Sequence, residues 1–213
     1  NNLIKKIEDK IVEKHSNVII THKNLSKNPI PHPTNETISA YFTPKEMLTD
    51  ELNSAIHLSN KLTDELLDSN IVIVGAPMWN FSIPSSLKAW LDHIVRVGRT
   101  FSKGENGYFG LAENKKAIII IASGGVYSNS SMDFNEPYLR FIFNFIEISD
   151  IQIIKAEGDT VLSQETLAIF ETGTASLAAT TASASAAPVA AVVSSSPAAT
   201  TNIDLAPSVR KAV

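Results

Sequence analysis

The sequence predicts an α/β protein built on a doubly wound parallel sheet. Two continuous apolar runs, Ile71 to Ala76 and Ala117 to Ala122, lack the alternation of a half-exposed strand. Such runs suit strands buried on both faces of a parallel sheet. Segments with helical apolar spacing separate the strands, and this alternation of strand and helix predicts helices on both faces of the sheet.

Each element follows in order. Leu3, Ile4, Ile7 and Ile11 recur at helical spacing among Lys and Glu, so Asn2 to His15 reads as an amphipathic helix. Val18 to Thr21 reads as a short strand, and "NPIPHPT" as a loop, because its prolines remove backbone donors. Thr43-Pro44 opens a helical stretch, interrupted or not, that runs to about Leu67. After the strand at Ile71 to Ala76, a helix begins near Pro84-Ser85 with apolar positions Leu87, Trp90, Leu91, Ile94 and Val95, and Gly98 stops it. Asn106-Gly107 signals a hairpin turn. Pro137 to Phe145 is an aromatic-rich helix, Ile151 to Ala156 a third strand in the sheet, and Ser163 the candidate N-cap of a last helix, "SQETLAIF".

From Thr172 the composition changes. No charged residue occurs between Glu171 and Asp204, and Ala, Ser, Thr and Pro dominate. Little large apolar surface is available there to offset ordering entropy. The expected organisation is one domain over 1–171 and a low-complexity tail over 172–213 that can be removed without loss of stability.

Composition excludes several functions. The 213 residues carry a net charge of −4, which argues against nucleic acid as the partner. The absence of cysteine excludes disulfides, thiolate catalysis and Cys–zinc sites. His15, His22, His32, His57 and His93 show no metal-ligand spacing. No apolar run is long enough to span a bilayer, the first residues lack a signal-peptide core, and a cytoplasmic location is expected. Lys88, His93, Arg96 and Arg99 read as a solvated basic stripe on one helix. Tyr138, Phe141, Phe143 and Phe145 read as core, or as support for a dimer interface.

Open α/β sheets take ligands at the carboxyl ends of their strands. Two loops fall there, "PMWNF" and "SGGVY". Trp79 and Phe81 would make a flat apolar wall, with the Asn80 amide between them to donate and accept hydrogen bonds. A planar heterocycle with a polar edge suits that set. The alternative is structural: the two aromatics pack the core and Asn80 caps the next helix. In the second loop Gly124 and Gly125 tolerate positive φ and allow a ligand close to the backbone, unless they form an ordinary turn.

The blocks "APMWNFSIPSSLKAWLDHIVRVGRTF", "ENGYFGL" and "KKAIIIIASGGVY", with "NPIPH" and "KAEG", resemble the FMN-dependent NADH-azoreductase and quinone-reductase family over roughly Asn2 to Phe170. The resemblance implies a flavodoxin-like fold, FMN and NADH as cofactors, quinone or azo acceptors reduced by a ping-pong route, and a homodimer. It places Met78, Trp79, Asn80 and Phe81 along the isoalloxazine ring and Ala122, Ser123, Gly124 and Gly125 at the ring's other edge. Tyr127 falls near the substrate pocket, and Trp79 replaces a Tyr common in the family. It implies no acid–base catalytic residue.

The family begins with a strand and a Ser-rich loop that cradles the FMN phosphate, whereas this sequence opens inside the first helix. The missing strand lies inside the sheet, so the strand at Val18 to Thr21 is expected to lack its neighbour and the strand at Ile71 to Ala76 to expose an edge. The missing phosphate loop makes an inactive flavodoxin-like remnant, serving as an interaction module, the second reading.

Overall fold

The computed structural model describes residues 2–15, 17–158 and 189–194. In chain order the elements are α1 (Asn2–Lys14), β1 (Ile19–Asn24), α2 (Asn35–Phe42), a 3-10 turn (Lys45–Met47), α3 (Asp50–Asp68), β2 (Ile71–Pro77), α4 (Ser85–Ile94), β3 (Phe101–Gly104), β4 (Gly107–Gly110), β5 (Lys116–Ser123), α5 (Asn135–Phe145), β6 (Asp150–Glu157) and β7 (Val189–Ser194). The expected last helix at Ser163 lies outside the described residues.

Five strands form one parallel sheet in the order β1-β7-β2-β5-β6, and β3 and β4 form a separate antiparallel hairpin. With β7 in the second position, the sheet has the flavodoxin-like arrangement, and the fold class expected from the sequence is the one observed. Side chains alternate across the sheet, as strand geometry requires. Ile71 and Ile73 of β2 join Ile7 and Ile11 of α1 on one face, while Val72 and Val74 join Leu62, Leu91 and Phe143 from α3, α4 and α5 on the other. Among the described residues no helix is long and apolar enough to cross a membrane.

β7 corrects the expectation of an empty slot. It comes from the segment read as a dispensable tail and lies parallel between β1 and β2, with Ile19 opposite Val189 and Gly75 opposite Ser194. Val192 packs on the α1 face and Val193 on the other, so β1 has its neighbour and β2 exposes no edge there. A run without charges, which suggested disorder, also suits a strand covered on both faces.

Three smaller expectations change. Between the proline-rich loop and Thr43 the sequence reading names no element, but the Thr34 hydroxyl accepts a hydrogen bond from the Thr37 N–H and starts α2 there. The long helical stretch is interrupted: Thr49 caps α3 in the same way, after the 3-10 turn. The basic stripe is only in part a solvated face: Lys88 is exposed, but two of its members are not. His93 is buried, its Nε2–H donating to the Pro31 carbonyl and its Nδ1 accepting from the Tyr41 hydroxyl, and Arg96 is buried beyond the end of α4. In the aromatic helix Phe143 is core, whereas Phe141 is exposed and stacks on Phe145.

Candidate active site

The two strand ends that carry the candidate residues are hydrogen-bonded neighbours. Pro77 is opposite Ala122, and the Met78 N–H donates to the Ala122 carbonyl at 2.7 Å. This brings Met78, Trp79, Asn80 and Phe81 beside Ala122, Ser123, Gly124 and Gly125. Tyr127 joins them through an edge-on contact with Phe81, ring centroids 6.0 Å apart.

The first loop is a tight turn. Trp79 and Ser82 exchange backbone hydrogen bonds of 2.8 and 3.1 Å across Asn80 and Phe81, whose φ angles are +50° and +67°. Two successive positive φ values belong to a primed turn, for which Asn is suited and a bulky aromatic is not. Holding Phe81 there costs on the order of 1–2 kcal/mol. The turn presents Trp79 at 56% exposure and Phe81 at 40%. The structural alternative therefore fails: the aromatics do not pack the core, and α4 begins at Pro84 with no side-chain cap. Large apolar groups held outward by a strained backbone form a shelf.

The second loop is tied down from behind. The Ser123 hydroxyl donates to the Gly125 carbonyl, and the Gly158 N–H donates to the Ser123 carbonyl. Glu157 accepts from the Tyr127 N–H at 2.9 Å and from the Ser128 hydroxyl at 2.6 Å. Neither glycine adopts positive φ, contrary to the turn chemistry expected of them. Their roles differ: a Cβ on Gly124 would meet nothing within 4 Å, whereas one on Gly125 would stand 2.9 Å from the Tyr127 ring. Gly124 keeps the backbone open, and Gly125 makes room for Tyr127.

Sequence reasoning missed the supports of this shelf. Besides Glu157, the Phe134 N–H donates to the Phe81 carbonyl, and Asp133 caps α5 by accepting from the N–H groups of Asn135 and Glu136. Lys155 reaches from β6 to both Asp133 and Glu136 at 2.8 Å. Burial pushes the two carboxyls up, but Lys155, with backbone N–H groups at Asp133 and Arg140 at Glu136, outweighs it and holds both below their usual values. Burial likewise disfavours the charged Lys155, but its two carboxylate partners hold it above the usual lysine value. Only the Asp133-x-x-Glu136 spacing before an apolar run hinted at the cap; the partner on β6 left no local signal.

Ser194, also unforeseen, ends β7 at the same edge of the sheet. Its hydroxyl is buried and has no hydrogen-bond partner among the described residues. Gly75 stands opposite it, and a Cβ on Gly75 would come within 3.6 Å of the Ser194 Oγ and 3.0 Å of Ile4 Cδ1. An orphaned hydroxyl at the carboxyl end of β7, and an aromatic shelf at the carboxyl end of the adjacent β2, fit the two halves of a phosphorylated heterocycle such as FMN.

A doubly wound sheet with an aromatic shelf at adjacent strand ends has the layout of the open α/β proteins, which take their ligands at the carboxyl ends of the strands. Residues 1–176 match the family described as "Flavodoxin-like fold". An FMN-dependent NADH:quinone oxidoreductase of Herminiimonas arsenicoxydans is 44% identical over 148 residues, 68% of this chain and 72% of the relative. An azoreductase from Bacillus anthracis str. Sterne superposes with a TM-score of 0.69 at 25% identity, covering 84% of this chain and 88% of its own. An FMN-dependent NADH-azoreductase from Bacillus anthracis str. Ames Ancestor, in complex with FMN, gives 0.63 at 26% identity over 82% and 89%. The chain belongs to this flavodoxin-like family and, within it, to the FMN-dependent NADH:quinone oxidoreductases. β7 lies beyond residues 1–176, the span of the family match.

Proposed function

We propose that the protein is an FMN-dependent oxidoreductase that takes electrons from NADH and passes them to quinone or azo acceptors, working in the cytoplasm as a homodimer. The observation that carries this reading is the strained Asn80-Phe81 turn, which holds Trp79 and Phe81 outward beside the open backbone at Gly124. FMN, when bound, supplies the hydride and electron chemistry. The protein's part is placement. Trp79 and Phe81 would hold the ring, with the Asn80 amide available to hydrogen-bond its polar edge. Gly124 would let the backbone approach, Tyr127 would border the substrate side, and the Ser194 hydroxyl would be available to the phosphate. A shelf with one open side receives donor and acceptor in turn, which favours a ping-pong sequence. Tyr108 and Phe141, both exposed and both in contact with Phe145, support a face for the second copy. The remnant reading rested on the missing phosphate loop; β7 fills the neighbouring strand slot, and the Ser194 hydroxyl at its end is the group offered to the phosphate.

The test is FMN titration by fluorescence quenching, with NADH-dependent quinone reduction measured in parallel. Asn80→Ala should weaken FMN binding by about fivefold, the equivalent of one hydrogen bond worth about 1 kcal/mol. A wild-type chain that binds no FMN, or quinone reduction that proceeds equally without FMN, would overturn the proposal.

A further inference from the structure

At the opposite end of α4 from the shelf is a cavity of about 610 Å³ between α2, α3 and the turn that follows α4. This volume is in the range of sites for small organic molecules. Its walls are of two kinds. Phe42, Leu48, Ile56 and Val97 are apolar, while Lys45, Arg96 and Arg99 are cationic, and no carboxylate lines it among the described residues.

Arg96 is the unusual member. It is 7% exposed, yet its guanidinium has no carboxylate partner among the described residues. Its Nη1 donates to the Ser59 hydroxyl at 3.1 Å and to the Asn60 carbonyl oxygen at 2.8 Å, and the group lies 4.7 Å from the centre of the Tyr41 ring. These contacts orient the charge without neutralising it. Tyr41 does not supply the missing charge either, because burial pushes its phenol up and its hydroxyl faces His93. Burial has pushed the Arg96 guanidinium down to about 10. The Nε atoms of Arg96 and Arg99 are buried without partners among the described residues. Arg99 pairs with Asp64, whose carboxylate also favours the charged Arg96 from a distance, but among the described residues no carboxylate touches the Arg96 guanidinium. A buried charge is costly unless paired.

We propose that this cavity binds a small carboxylate with an apolar body. One negative charge balances Arg96, whose planar fork matches a carboxylate, and the apolar wall receives the rest of the molecule. The site is independent of the flavin reading, because it shares no residue with the shelf.

Calorimetric titration of the full chain with benzoate, benzamide and inorganic phosphate tests it. Benzoate should bind saturably, with benzamide and phosphate each at least tenfold weaker. Arg96→Gln should abolish the preference for benzoate over benzamide. If that variant fails to fold, Phe42→Asp serves instead. Phe42 is 74% exposed, so the fold is retained, and the added carboxylate should weaken benzoate at least tenfold. Absence of benzoate binding, equal affinity for benzamide, tighter binding of phosphate, or wild-type affinity in Phe42→Asp would each overturn the proposal.

Discussion

Val193→Asp places a carboxyl group in the middle of the sheet and asks whether the C-terminal segment belongs there. Val193 is 2% exposed, pairs with Lys23 and Val74 on its two sides, and packs against the larger apolar cluster. Removing the buried valine side chain forfeits roughly 1.5–3 kcal/mol. Burying a carboxyl without a partner, protonated rather than charged, costs about 1–3 kcal/mol more. The sum, about 2.5–6 kcal/mol, is a large part of a domain's usual 5–15 kcal/mol. At roughly 2–4 °C per kcal/mol for a chain of this size, Tm should fall by about 5–25 °C. Thermal unfolding followed by circular dichroism measures it, with Val12→Asp as the control. Val12 is 54% exposed, and the change there should cost no more than about 0.5 kcal/mol. If Val193→Asp melts with the control and the wild type, β7 is not part of the sheet in solution and the corrected topology is wrong.

Other outcomes follow from the site. Gly124→Val should leave Tm within error and weaken FMN, because its Cβ meets only open space, whereas Gly125→Val should also lower Tm through the Tyr127 ring; equal effects of the two on Tm would refute the division of roles. Ser194→Ala should narrow the preference for FMN over riboflavin by about tenfold, the worth of one charge-assisted hydrogen bond at roughly 1.5 kcal/mol; parallel titrations of both flavins decide it, and an unchanged ratio removes Ser194 from the phosphate site. The Lys155 group gives a pH signature. Asp133 and Glu136 are held low, so their contribution is present above about pH 4 and lost as pH falls through their folded values. Lys155 is held high, so its share is present below about pH 10 and lost as pH rises through its folded value. The stability gap between wild type and Lys155→Met, measured by urea unfolding, should be widest between these limits and narrow toward both; a gap flat with pH would refute the ion-pair account.

What the sequence disclosed depended on how local each signal was. β2 and β5 were legible because their apolar runs are continuous, and the β3–β4 hairpin because Asn106-Gly107 stands at its turn. Trp79, Asn80 and Phe81 were legible as a site because they follow a strand end. Their outward display was not, since it depends on two backbone angles that favour Asn but not Phe. The tie from Glu157 to Tyr127 and the Lys155 bridge join residues distant in sequence, so no spacing rule reports them. β7 was hidden most completely: "VAAVVS" lies among alanines, serines and threonines, and its identity as a strand comes from the walls supplied by β1 and β2.

That placement of β7 also bears on how the protein forms. All four other strands of the sheet precede it in the chain, so during synthesis β1 and β2 are made long before the segment that joins them. Until it arrives they leave a groove lined on both sides by unpaired backbone N–H and C=O groups, each able to accept a strand from elsewhere. Closing the groove brings together residues from opposite ends of the chain, a high-contact-order step that is slow and comes late. The same groove accepts the corresponding segment of a second molecule on equal terms. Exchange of β7 between copies is thus a hazard while the protein folds at high concentration.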